Sequence, residues 1–409
     1  MSEDLVVVGI TGTGVAVGYF AILACGDGIV DVPAPKRQFV CVEEVVDDDE
    51  TLFIVMVDLI GTDFIVHDMN TARRRVAVKR GGLAVKRLSK PEGKYNLVLE
   101  EAPMPEPASG EVRIKAVRSL ISRGSEMGAR YTREHAVSHE IMGYSMAGTI
   151  DAVGEGVSHF ALGDRVVALA PHAEYTVRSG MVAGPDDQSR VVALPDDVSW
   201  DRAPYYPLTA GSVTWVDVGE SGAADTVVIL GQGLVGSLML QVMKANGAGH
   251  VVAVDALDNR CALAKELGAD HVIHAGQQDP VAAVRRLTNG AGAHLVVYAV
   301  GGPAGPKAFE QGLDMLGVDG TMHLIGLYED QALSLPSSKI QRRRILGGYY
   351  GASIGLASYR RAMSLLASGV VQAERMTTHR FPFTDADKAF DLLWNRPGEA
   401  LGVLLDWEQ

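Results

Sequence analysis

The hydrophobic pattern of the chain changes its period near residue 205. Before that point, short apolar runs between glycines and prolines predict strands and turns, as in "GTIDAVGEGVSHFALGDRVVAL" and "AEYTVRS". After it, strand-like runs such as "DTVVIL" and "HVVAVD" alternate with helical stretches such as "LVGSLMLQVMKANG". Strands spaced in this way by helices indicate a parallel, doubly wound sheet that follows a β-rich domain.

The C-terminal tail carries two further helical patterns. The last of them, "TDADKAFDLLWNR", places Asp387 three residues after Thr384, which is the spacing of a capping box. We therefore expect the last helix to begin at Thr384.

Residues 1–80 form a separate β-rich block by their pattern. "FVCVEEVV" and "TLFIVMVDLI" are strand-like runs on either side of the acidic tip "DDDE", and "FIVHDM" is a third candidate strand. The block is acidic up to Asp68, and the basic stretch "ARRRVAVKRGGLAVKR" that follows indicates a domain boundary. This stretch suits a solvated strand edge, or a partner for the acidic block, better than a nucleic-acid patch.

An uncharged run from Val6 to Gly26 is long enough to suggest a membrane span. Glycines interrupt the run, and the acidic start "MSED" differs from the basic start of a signal peptide. We predict buried β-strands here and no membrane association. The run also contains "GITGTGVAVG", but neither the helix nor the acidic residue that a dinucleotide site needs comes after it.

A complete dinucleotide motif follows the strand-like run "VVIL". Gly231, Gly233 and Gly236 form G-x-G-x-x-G between a predicted strand and a predicted helix. The first glycine permits a tight turn, the second lets pyrophosphate approach the backbone, and the third lets the helix pack on the strand. The free N–H groups of the helix N-terminus would bind the phosphates.

The residues after this motif predict which cofactor binds. Asp255 ends the next strand, where a carboxylate accepts from a ribose 2'-hydroxyl and repels a 2'-phosphate, so the sequence favours NAD over NADP. Arg260 weakens that preference slightly, because it could turn towards a phosphate. Further cofactor-binding candidates are Leu234, Val235, Thr209, Gly301 and Leu327.

Composition narrows the class of protein. With 409 residues the chain is long enough for two or three domains, and 47% hydrophobic and 21% charged residues are typical of a soluble globular protein. The net charge of −13 argues against a nucleic-acid partner. Cys25, Cys41 and Cys261 are far apart and form no C-x-x-C pair, so neither a disulfide framework nor a thiolate-rich zinc site is expected. The expected compartment is the reduced cytoplasm.

Four segments between residues 100 and 236 resemble recurring segments of the medium-chain dehydrogenase/reductase family. They are "EEAPMPEPASGEVRIKAV", "GTIDAVGEGVSHFALGDRVVAL", "AEYTV" and "GQGLVG". The resemblance covers residues 84–409 and implies an α/β protein with a GroES-like β-rich catalytic domain and a doubly wound Rossmann domain. We expect the catalytic domain at 81–205, completed by 346–409, the Rossmann domain at 206–345, and an extra β-rich N-terminal block at 1–80. The family also implies a homodimer or homotetramer.

The stretch "SHEIMGYSMAG" raises the question of a catalytic zinc. His139 and Glu140 look like the His-Glu pair of zinc alcohol dehydrogenases, and His135 lies four residues earlier. The resemblance anchors that pair to Gly143 and "MAGTI" instead, so His139 and Glu140 fall several residues too early. We expect them on a polar loop near the cleft, and a zinc bound by His135, His139 and Glu140 is the alternative.

The resemblance places other residues at the zinc-ligand positions of the family. Tyr144 and Ser145 fall where His and Glu would be, Arg123 falls at the cysteine position, and Tyr205 lies near the third position. Arginine and tyrosine do not suit Zn²⁺, so we predict that no metal binds. "ISRGSE", "GYS", "PHAEY" and the tail "HRFPFTDADKAFDLL" resemble a zinc-independent branch, the bacteriochlorophyllide-dehydrogenase-like oxidoreductases.

Without a metal, side chains must accept the hydroxyl proton of the substrate and stabilise the developing oxyanion. Tyr144 and Ser125 are the candidates for contact with the reacting oxygen, and His172 is the candidate relay or general base. Arg123 would supply positive charge, and Glu126 would orient Arg123 or a sugar-like hydroxyl. Each has a structural alternative: Tyr144 as a core aromatic, His172 as a strand-end cap, and Ser125 as a backbone partner in its turn.

The sequence therefore favours an NAD-dependent, zinc-independent dehydrogenase. Its small-molecule substrate would be a secondary alcohol or ketone, such as a sugar, a cyclitol or the ring of a secondary metabolite. One alternative is an NADPH-dependent enoyl or quinone reductase, which Asp255 argues against. The other is a non-catalytic NAD-binding interaction protein whose working part is the acidic N-terminal block.

Overall fold

The computed structural model describes residues 84–181, 191–326, 332–348 and 353–408 in full. Between residues 8 and 79 it describes the backbone of five strands. The chain divides into two compact units, residues 1–83 and residues 84–409.

The strands of the first unit form two small antiparallel sheets. One pairs β1 (Val8–Thr11) with β2 (Gly14–Val17), within the uncharged run near the N-terminus. The other has the order β3 (Val55–Ile60), β4 (Asp63–Asp68), β5 (Arg75–Lys79). The runs "TLFIVMVDLI" and "FIVHDM" thus contain strands, whereas "FVCVEEVV" lies outside the described residues.

The second unit begins with short strands. A π-helix, Arg123–Tyr131, follows β8, and single 3₁₀ turns occupy His139–Ile141 and Ala203–Tyr205. The strands are β6 (Ala84–Ser89), β7 (Val98–Pro103), β8 (Glu111–Leu120), β9 (Met146–Val153), β10 (Arg165–Ala168), β11 (Tyr175–Ser179) and β12 (Val191–Ala193).

Helices and parallel strands alternate from residue 206 onwards. The helices are α1 (Tyr206–Gly219), α2 (Leu234–Ala245), α3 (Asp258–Glu266), α4 (Pro280–Leu287) and α5 (Gly305–Met315). The strands are β13 (Thr226–Leu230), β14 (His250–Asp255), β15 (His271–His274), β16 (Ala293–Tyr298), β17 (Leu316–Leu324) and β18 (Arg344–Leu346).

The order of the parallel strands determines where a ligand can bind. The sheet runs β15-β14-β13-β16-β17-β18, with every neighbouring pair parallel. The chain moves outward from β13 through β14 to β15 and then returns to β16 on the other side of β13. The carboxyl end of β13 is therefore a topological switch point, where open α/β sheets bind their ligands.

The C-terminal segment adds two strands to the sheet that contains β8. It contains α6 (Leu356–Ala367), α7 (Ala373–Met376), β19 (Thr377–Pro382), α8 (Ala386–Asn395) and β20 (Gly402–Asp406). β20 pairs antiparallel with β8, and the sheet runs β12-β10-β9-β8-β20-β19 with β11 also on β8. The GroES-like and doubly wound fold predicted from the sequence is confirmed.

The start of α8 differs from the prediction. Phe383–Asp385 form a 3₁₀ turn, the helix begins at Ala386, and its N-cap is Asp385 without a side-chain capping bond. The capping box expected from Thr384 is therefore wrong. Phe383 is buried and stacks on Trp407 with ring centroids 4.8 Å apart, so tertiary packing fixes the entry to this helix.

α1 was not predicted from the sequence. Nearly all of its residues are buried, including Trp215, so it lacks the polar face that marks an amphipathic helix. In the part of the chain that the structure describes, no helix is both long and apolar enough to cross a membrane.

Candidate active site

The turn after β13 has a shape that only glycines permit. Gly231 has a φ of +88°, in the left-handed region. A Cβ on Gly236 would lie 1.9 Å from the carbonyl oxygen of Gly231, so α2 packs on this turn only because residue 236 has no side chain. A Cβ on Gly233 would meet no atom within 4 Å, so open space lies beside its backbone.

The N-terminus of α2 faces this space. Gly233 is the N-cap, and no side chain accepts from the amides of the first turn. Leu234 and Val235 line the cavity described below. Uncapped first-turn amides and the positive end of the helix dipole suit an anion such as pyrophosphate.

Asp255 lies at the end of β14 beside the same turn. Its carboxylate accepts from the backbone N–H of Gln232 at 2.7 Å, of Ala256 at 2.8 Å and of Leu257 at 3.0 Å. Arg260 places Nη1 3.9 Å from Asp255 Oδ2, while its Nη2 donates to the carbonyl of Pro397 at 2.7 Å. The carboxylate is therefore held at the strand end with a guanidinium close to it.

The remaining cofactor candidates have different positions. Gly301 lines the cavity. Thr209 is fully buried in α1, where its hydroxyl donates to the carbonyl of Tyr205 at 2.9 Å, and it is not among the cavity residues. Leu327 lies outside the described residues.

A cavity of about 720 Å³ connects this turn to the catalytic domain. On the nucleotide side it is lined by Gly231, Gly233, Asp255 and Arg260. The opposite side, which we call the catalytic wall, includes Arg123, Ser125, Met127, Arg130, Tyr144 and Trp394. The cavity thus brings the predicted cofactor motif and three predicted catalytic residues, Arg123, Ser125 and Tyr144, to one space.

The π-helix Arg123–Tyr131 positions much of the catalytic wall. Arg123 stands at its first position, where Nε donates to the carbonyl of Leu393 at 3.1 Å. Ser125 follows within the first turn. The family resemblance implied only a turn at "RGSE" here.

Glu126 and His172 face away from the cavity into a buried hydrogen-bonded network. His172 Nε2 lies 2.8 Å from Glu126 Oε2, and its Nδ1 lies 2.8 Å from Ser119 Oγ. Trp407 Nε1 donates to the same Ser119 oxygen at 2.8 Å, and the backbone N–H of Ser122 donates to Glu126 Oε1 at 2.8 Å. Since Trp407 donates to Ser119, the Ser119 proton is directed at Nδ1, and Nε2–H donates to the Glu126 carboxylate.

This network excludes a direct contact of His172 with a substrate in the cavity. Both His172 and Glu126 are fully buried, and neither is among the cavity residues. Gly143 makes the placement possible, since a Cβ there would lie 2.7 Å from His172 Cδ2. Glu126 and His172 were predicted to act in the chemistry, but the structure places them behind the catalytic wall, where they anchor the start of the π-helix.

Tyr205 also lies away from the cavity. It is fully buried, and its hydroxyl lies 2.8 Å from Thr377 Oγ1. Burial raises the pKa of Tyr205 far above its ordinary value, and the hydrogen bond to Thr377 only partly offsets this effect. A phenol with these surroundings does not exchange protons with a bound substrate.

The histidines of "SHEIMGYSMAG" and its neighbourhood do not form a metal site with Glu140. His135 is exposed, and His139 Nε2 lies 2.9 Å from Arg87 Nη1 and 3.0 Å from Glu140 Oε1. Among the described residues, no three His, Cys, Asp or Glu side chains are grouped to hold a metal ion. A guanidinium against His139 would also repel a dication.

Sequence reasoning missed several residues of the cavity. Trp215, Lys307, Trp394 and Arg130 all line it, and no motif marks any of them. Arg130 lies seven residues after Arg123 on the same π-helix. A helical interpretation of "RGSEMGARY" would have found it, but the local sequence does not favour that interpretation.

Two family models match the chain in the order of its two domains. The alcohol dehydrogenase GroES-like domain matches residues 109–191. The zinc-binding dehydrogenase model matches residues 235–368. The two matches, in this order along the chain, support an enzyme of the medium-chain dehydrogenase/reductase type. The chain is an oxidoreductase of the alcohol-dehydrogenase type.

Curated relatives of this chain are similar to it over about three quarters of its length. L-threonine 3-dehydrogenase of Bacillus subtilis (strain 168) is 27% identical over an alignment of length 348, which covers 78% of this chain and 98% of the relative. Sorbitol dehydrogenase of Halalkalibacterium halodurans is 28% identical over an alignment of length 344, which covers 76% of this chain and 96% of the relative.

A solved structure shares the fold of this chain. It is a short chain alcohol dehydrogenase from E. coli CFT073 complexed with the cofactor NADH, with a TM-score of 0.66 and 22% sequence identity. The alignment covers 80% of this chain and 100% of that chain.

Proposed function

We propose that this protein is a zinc-independent, NAD-dependent dehydrogenase of a secondary alcohol on a sugar, cyclitol or secondary-metabolite ring. The observation that carries the proposal is the cavity that joins the glycine-rich turn to Ser125, Tyr144 and Arg123. It is large enough to hold a nicotinamide beside a small substrate. We further propose a cytoplasmic homodimer or homotetramer.

The proposed cofactor fits the nucleotide side of the cavity. The uncapped first turn of α2 and the open space beside Gly233 suit a pyrophosphate. Asp255 at the strand end suits a ribose with a free 2'-hydroxyl, which favours NAD over NADP. When bound, the nicotinamide accepts the hydride from the carbon that carries the reacting hydroxyl. The NADH complex of the E. coli CFT073 structure is consistent with this assignment.

The residues of the catalytic wall act on the hydroxyl of the substrate. As hydride leaves the alcohol carbon, the oxygen must lose its proton and becomes a carbonyl oxygen. Tyr144 and Ser125 line the cavity, and their hydroxyls can bond that oxygen and relay its proton to water in the cavity. Arg123 brings a positive charge to the same wall. We assign Glu126 and His172 to positioning, because they anchor the π-helix that carries Arg123 and Ser125.

The residues present do not fit a catalytic zinc. The positions that the family resemblance gives to the ligands hold Arg123, Tyr144 and Tyr205, none of which is a ligand that Zn²⁺ prefers. Tyr205 is also buried away from the cavity with a raised pKa, which opposes the phenolate that a metal would need. In the proposed reaction, side chains therefore act on the hydroxyl without a metal.

The proposal predicts hydride transfer without a metal. Purified protein should contain less than about 0.1 zinc per chain by elemental analysis, because the site lacks suitable ligands. It should bind NADH, seen as enhanced nicotinamide fluorescence, and reduce NAD⁺ with at least one member of a panel of sugars, cyclitols and ring alcohols. Chelator should leave the rate unchanged.

Three results would contradict this prediction. Stoichiometric zinc that is lost with activity on chelation, and restored with it, would end the zinc-independent assignment. Turnover of enones or quinones with NADPH, and none of alcohols with NAD⁺, would favour the reductase chemistry instead. A well-folded protein that binds NADH but turns over no alcohol or ketone would favour an interaction protein.

A further inference from the structure

We propose that the catalytic wall binds an anionic group, a carboxylate or a phosphate, carried by the alcohol substrate, and that Arg130 is its principal partner. This inference rests on the proposed function and adds a substrate class to it. Arg130 lines the cavity, and its Nη1 is buried without a hydrogen-bond partner.

An unpaired guanidinium nitrogen of this kind is unusual. Burying a charged donor without an acceptor costs free energy, so such groups are normally paired. Other partly buried arginines in the described part of the chain follow that rule: Arg285 donates to the carbonyls of Asp314 and Leu316, and Arg343 to those of Leu316 and Lys339. Arg130 instead keeps one unused donor, on a side chain that lines the cavity.

The charges around the cavity favour an anion. Arg123, Arg130 and Lys307 line it in addition to Arg260. Among the described lining residues, the carboxylate is that of Asp255, which three backbone amides already engage. The catalytic wall thus carries two guanidinium groups and no carboxylate of its own, which makes the local potential positive.

The position of Arg130 suits a group close to the reacting hydroxyl. The π-helix carries Ser125 and Arg130 on the same cavity. A substrate whose alcohol meets Ser125 and Tyr144 would therefore present its neighbouring substituents to the same wall. A guanidinium recognises carboxylate and phosphate oxygens through paired hydrogen bonds, which a neutral hydroxyl cannot reproduce.

The cofactor phosphates have a separate site. The glycine-rich turn and the uncapped first turn of α2 belong to the other domain and provide backbone donors for pyrophosphate. Arg130 lies on the π-helix, beyond Ser125 in sequence. We therefore assign Arg130 to the substrate, and the test below measures cofactor binding separately.

The experiment compares matched alcohols that differ only in one anionic group. 3-Hydroxybutyrate is paired with 2-butanol for the carboxylate, and 1,2-propanediol 1-phosphate with 1,2-propanediol for the phosphate. Wild type, Arg130→Met and the control Arg133→Met, which lies outside the cavity lining, are compared. For each protein kcat/KM with NAD⁺, the Kd of NADH and the melting temperature are measured.

We expect wild type and Arg133→Met to prefer one anionic alcohol over its neutral partner by about tenfold or more. Arg130→Met should abolish that preference, because its kcat/KM for the anionic alcohol should fall about tenfold further than its kcat/KM for the neutral alcohol, while its Kd for NADH stays within about twofold of wild type. Its melting temperature should not fall, because Arg130 loses no internal hydrogen bond at Nη1. The pair that shows the preference identifies carboxylate or phosphate.

Four outcomes would overturn the proposal. The first two are equal activity of wild type on charged and neutral alcohols, and an anionic preference that persists in Arg130→Met. A weakened Kd for NADH in Arg130→Met would assign the guanidinium to the cofactor. If NADH binds but no probe alcohol is turned over, calorimetry measures the affinity of 3-hydroxybutyrate and of 1,2-propanediol 1-phosphate for the enzyme–NADH complex. Equal affinities of wild type and Arg130→Met for these anions would then overturn the proposal. Absence of NADH binding by wild type would contradict the proposed function instead.

Discussion

Asp255 is the residue that we propose sets the cofactor preference. Three backbone amides fix its oxygens at the end of β14, and Arg260 lies 3.9 Å away with its other nitrogen held by the carbonyl of Pro397. The negative charge disfavours a 2'-phosphate, while Arg260 would favour one. The sequence predicted both the repulsion by Asp255 and the attraction by Arg260, and in the structure the two side chains lie next to each other at the end of β14.

We predict that Asp255→Asn shifts cofactor preference towards NADP. The ratio of the Kd values for NADH and NADPH should move in favour of NADPH by about tenfold, because a like charge is removed and Arg260 becomes available to the phosphate. Fluorescence titration measures both constants. Asp258→Asn, a change at an exposed acidic residue three positions later, is the control and should leave the ratio unchanged. An unaltered ratio in Asp255→Asn would remove this residue from cofactor selection.

The π-helix Arg123–Tyr131 is the element that the site depends on and that the sequence did not predict. Its two glycines and scattered polar residues are typical of a turn. Glu126 makes the helix possible by accepting from Ser122 N–H at its start and from His172 behind it. Tertiary hydrogen bonds therefore override a weak local preference, and they place Ser125 and Arg130 on the cavity.

We predict that Glu126→Ala lowers the free energy of unfolding by about 3 kcal/mol, because His172 and the Ser122 amide lose a buried partner. Glu126→Gln should cost much less, since its oxygen can still accept from Ser122 and its amide can donate to His172 in the other tautomer. Urea denaturation measures both. Glu399→Ala, at an exposed residue, is the control and should stay within about 0.5 kcal/mol of wild type.

Enzyme kinetics distinguish a positioning role of Glu126 from a role in stability alone. If the pair positions the catalytic wall, Glu126→Gln should lower kcat more than it changes the Kd of NADH. Equal stability of Glu126→Ala and the Glu399→Ala control would show that the network contributes nothing to holding the helix.

At the scale of the whole molecule, the order of the strands creates the site. The chain leaves β13 in one direction and returns on its other side, so the glycine-rich turn opens into a crevice rather than into packed protein. The return of β20 to β8 then brings Trp394, Leu401 and the rest of the C-terminal segment to that crevice. The cavity depends on contacts between residues more than 250 positions apart, such as Leu120 and Leu404.

The sheet also contains a group that makes stability depend on pH. His323 on β17 is fully buried, and burial lowers its pKa, against the smaller opposing effect of backbone groups of Gly347 and Trp215. The unfolded chain therefore binds a proton on this residue at a higher pH than the folded chain does. The contribution of His323 to stability is therefore fully present above the unfolded pKa of about 6.5, and it is lost as the pH falls from there towards the lower pKa of the folded state.

We predict that His323→Leu reduces this pH dependence. Between pH 7.5 and 5.5 the wild type should lose about 1 kcal/mol more stability than the variant, whatever their difference at pH 7.5. Urea denaturation at a series of pH values measures the difference. His250→Leu, at the exposed start of β14, is the control and should keep the wild-type dependence. Parallel curves for wild type and His323→Leu would show that His323 is protonated equally in both states.

The sequence by itself determined the fold and the place of the cofactor motif. Periodicity is a local property, so alternating strands and helices, and the glycines of a strand–turn–helix unit, can be read residue by residue. For the same reason it identified Gly231, Gly233, Gly236 and Asp255 as one group. The family resemblance similarly placed Arg123, Ser125 and Tyr144 on what proved to be one wall of the cavity.

Only the tertiary structure decided which polar side chains face the cavity. Burial depends on what packs behind an element, and that is a matter of contacts distant in sequence. His172 and Glu126 were assigned to chemistry because of their residue types, yet Ser119 and Trp407 meet them in the interior. Arg130 carried no sequence signal at all, because its unpaired nitrogen exists only once the π-helix has formed against its neighbours.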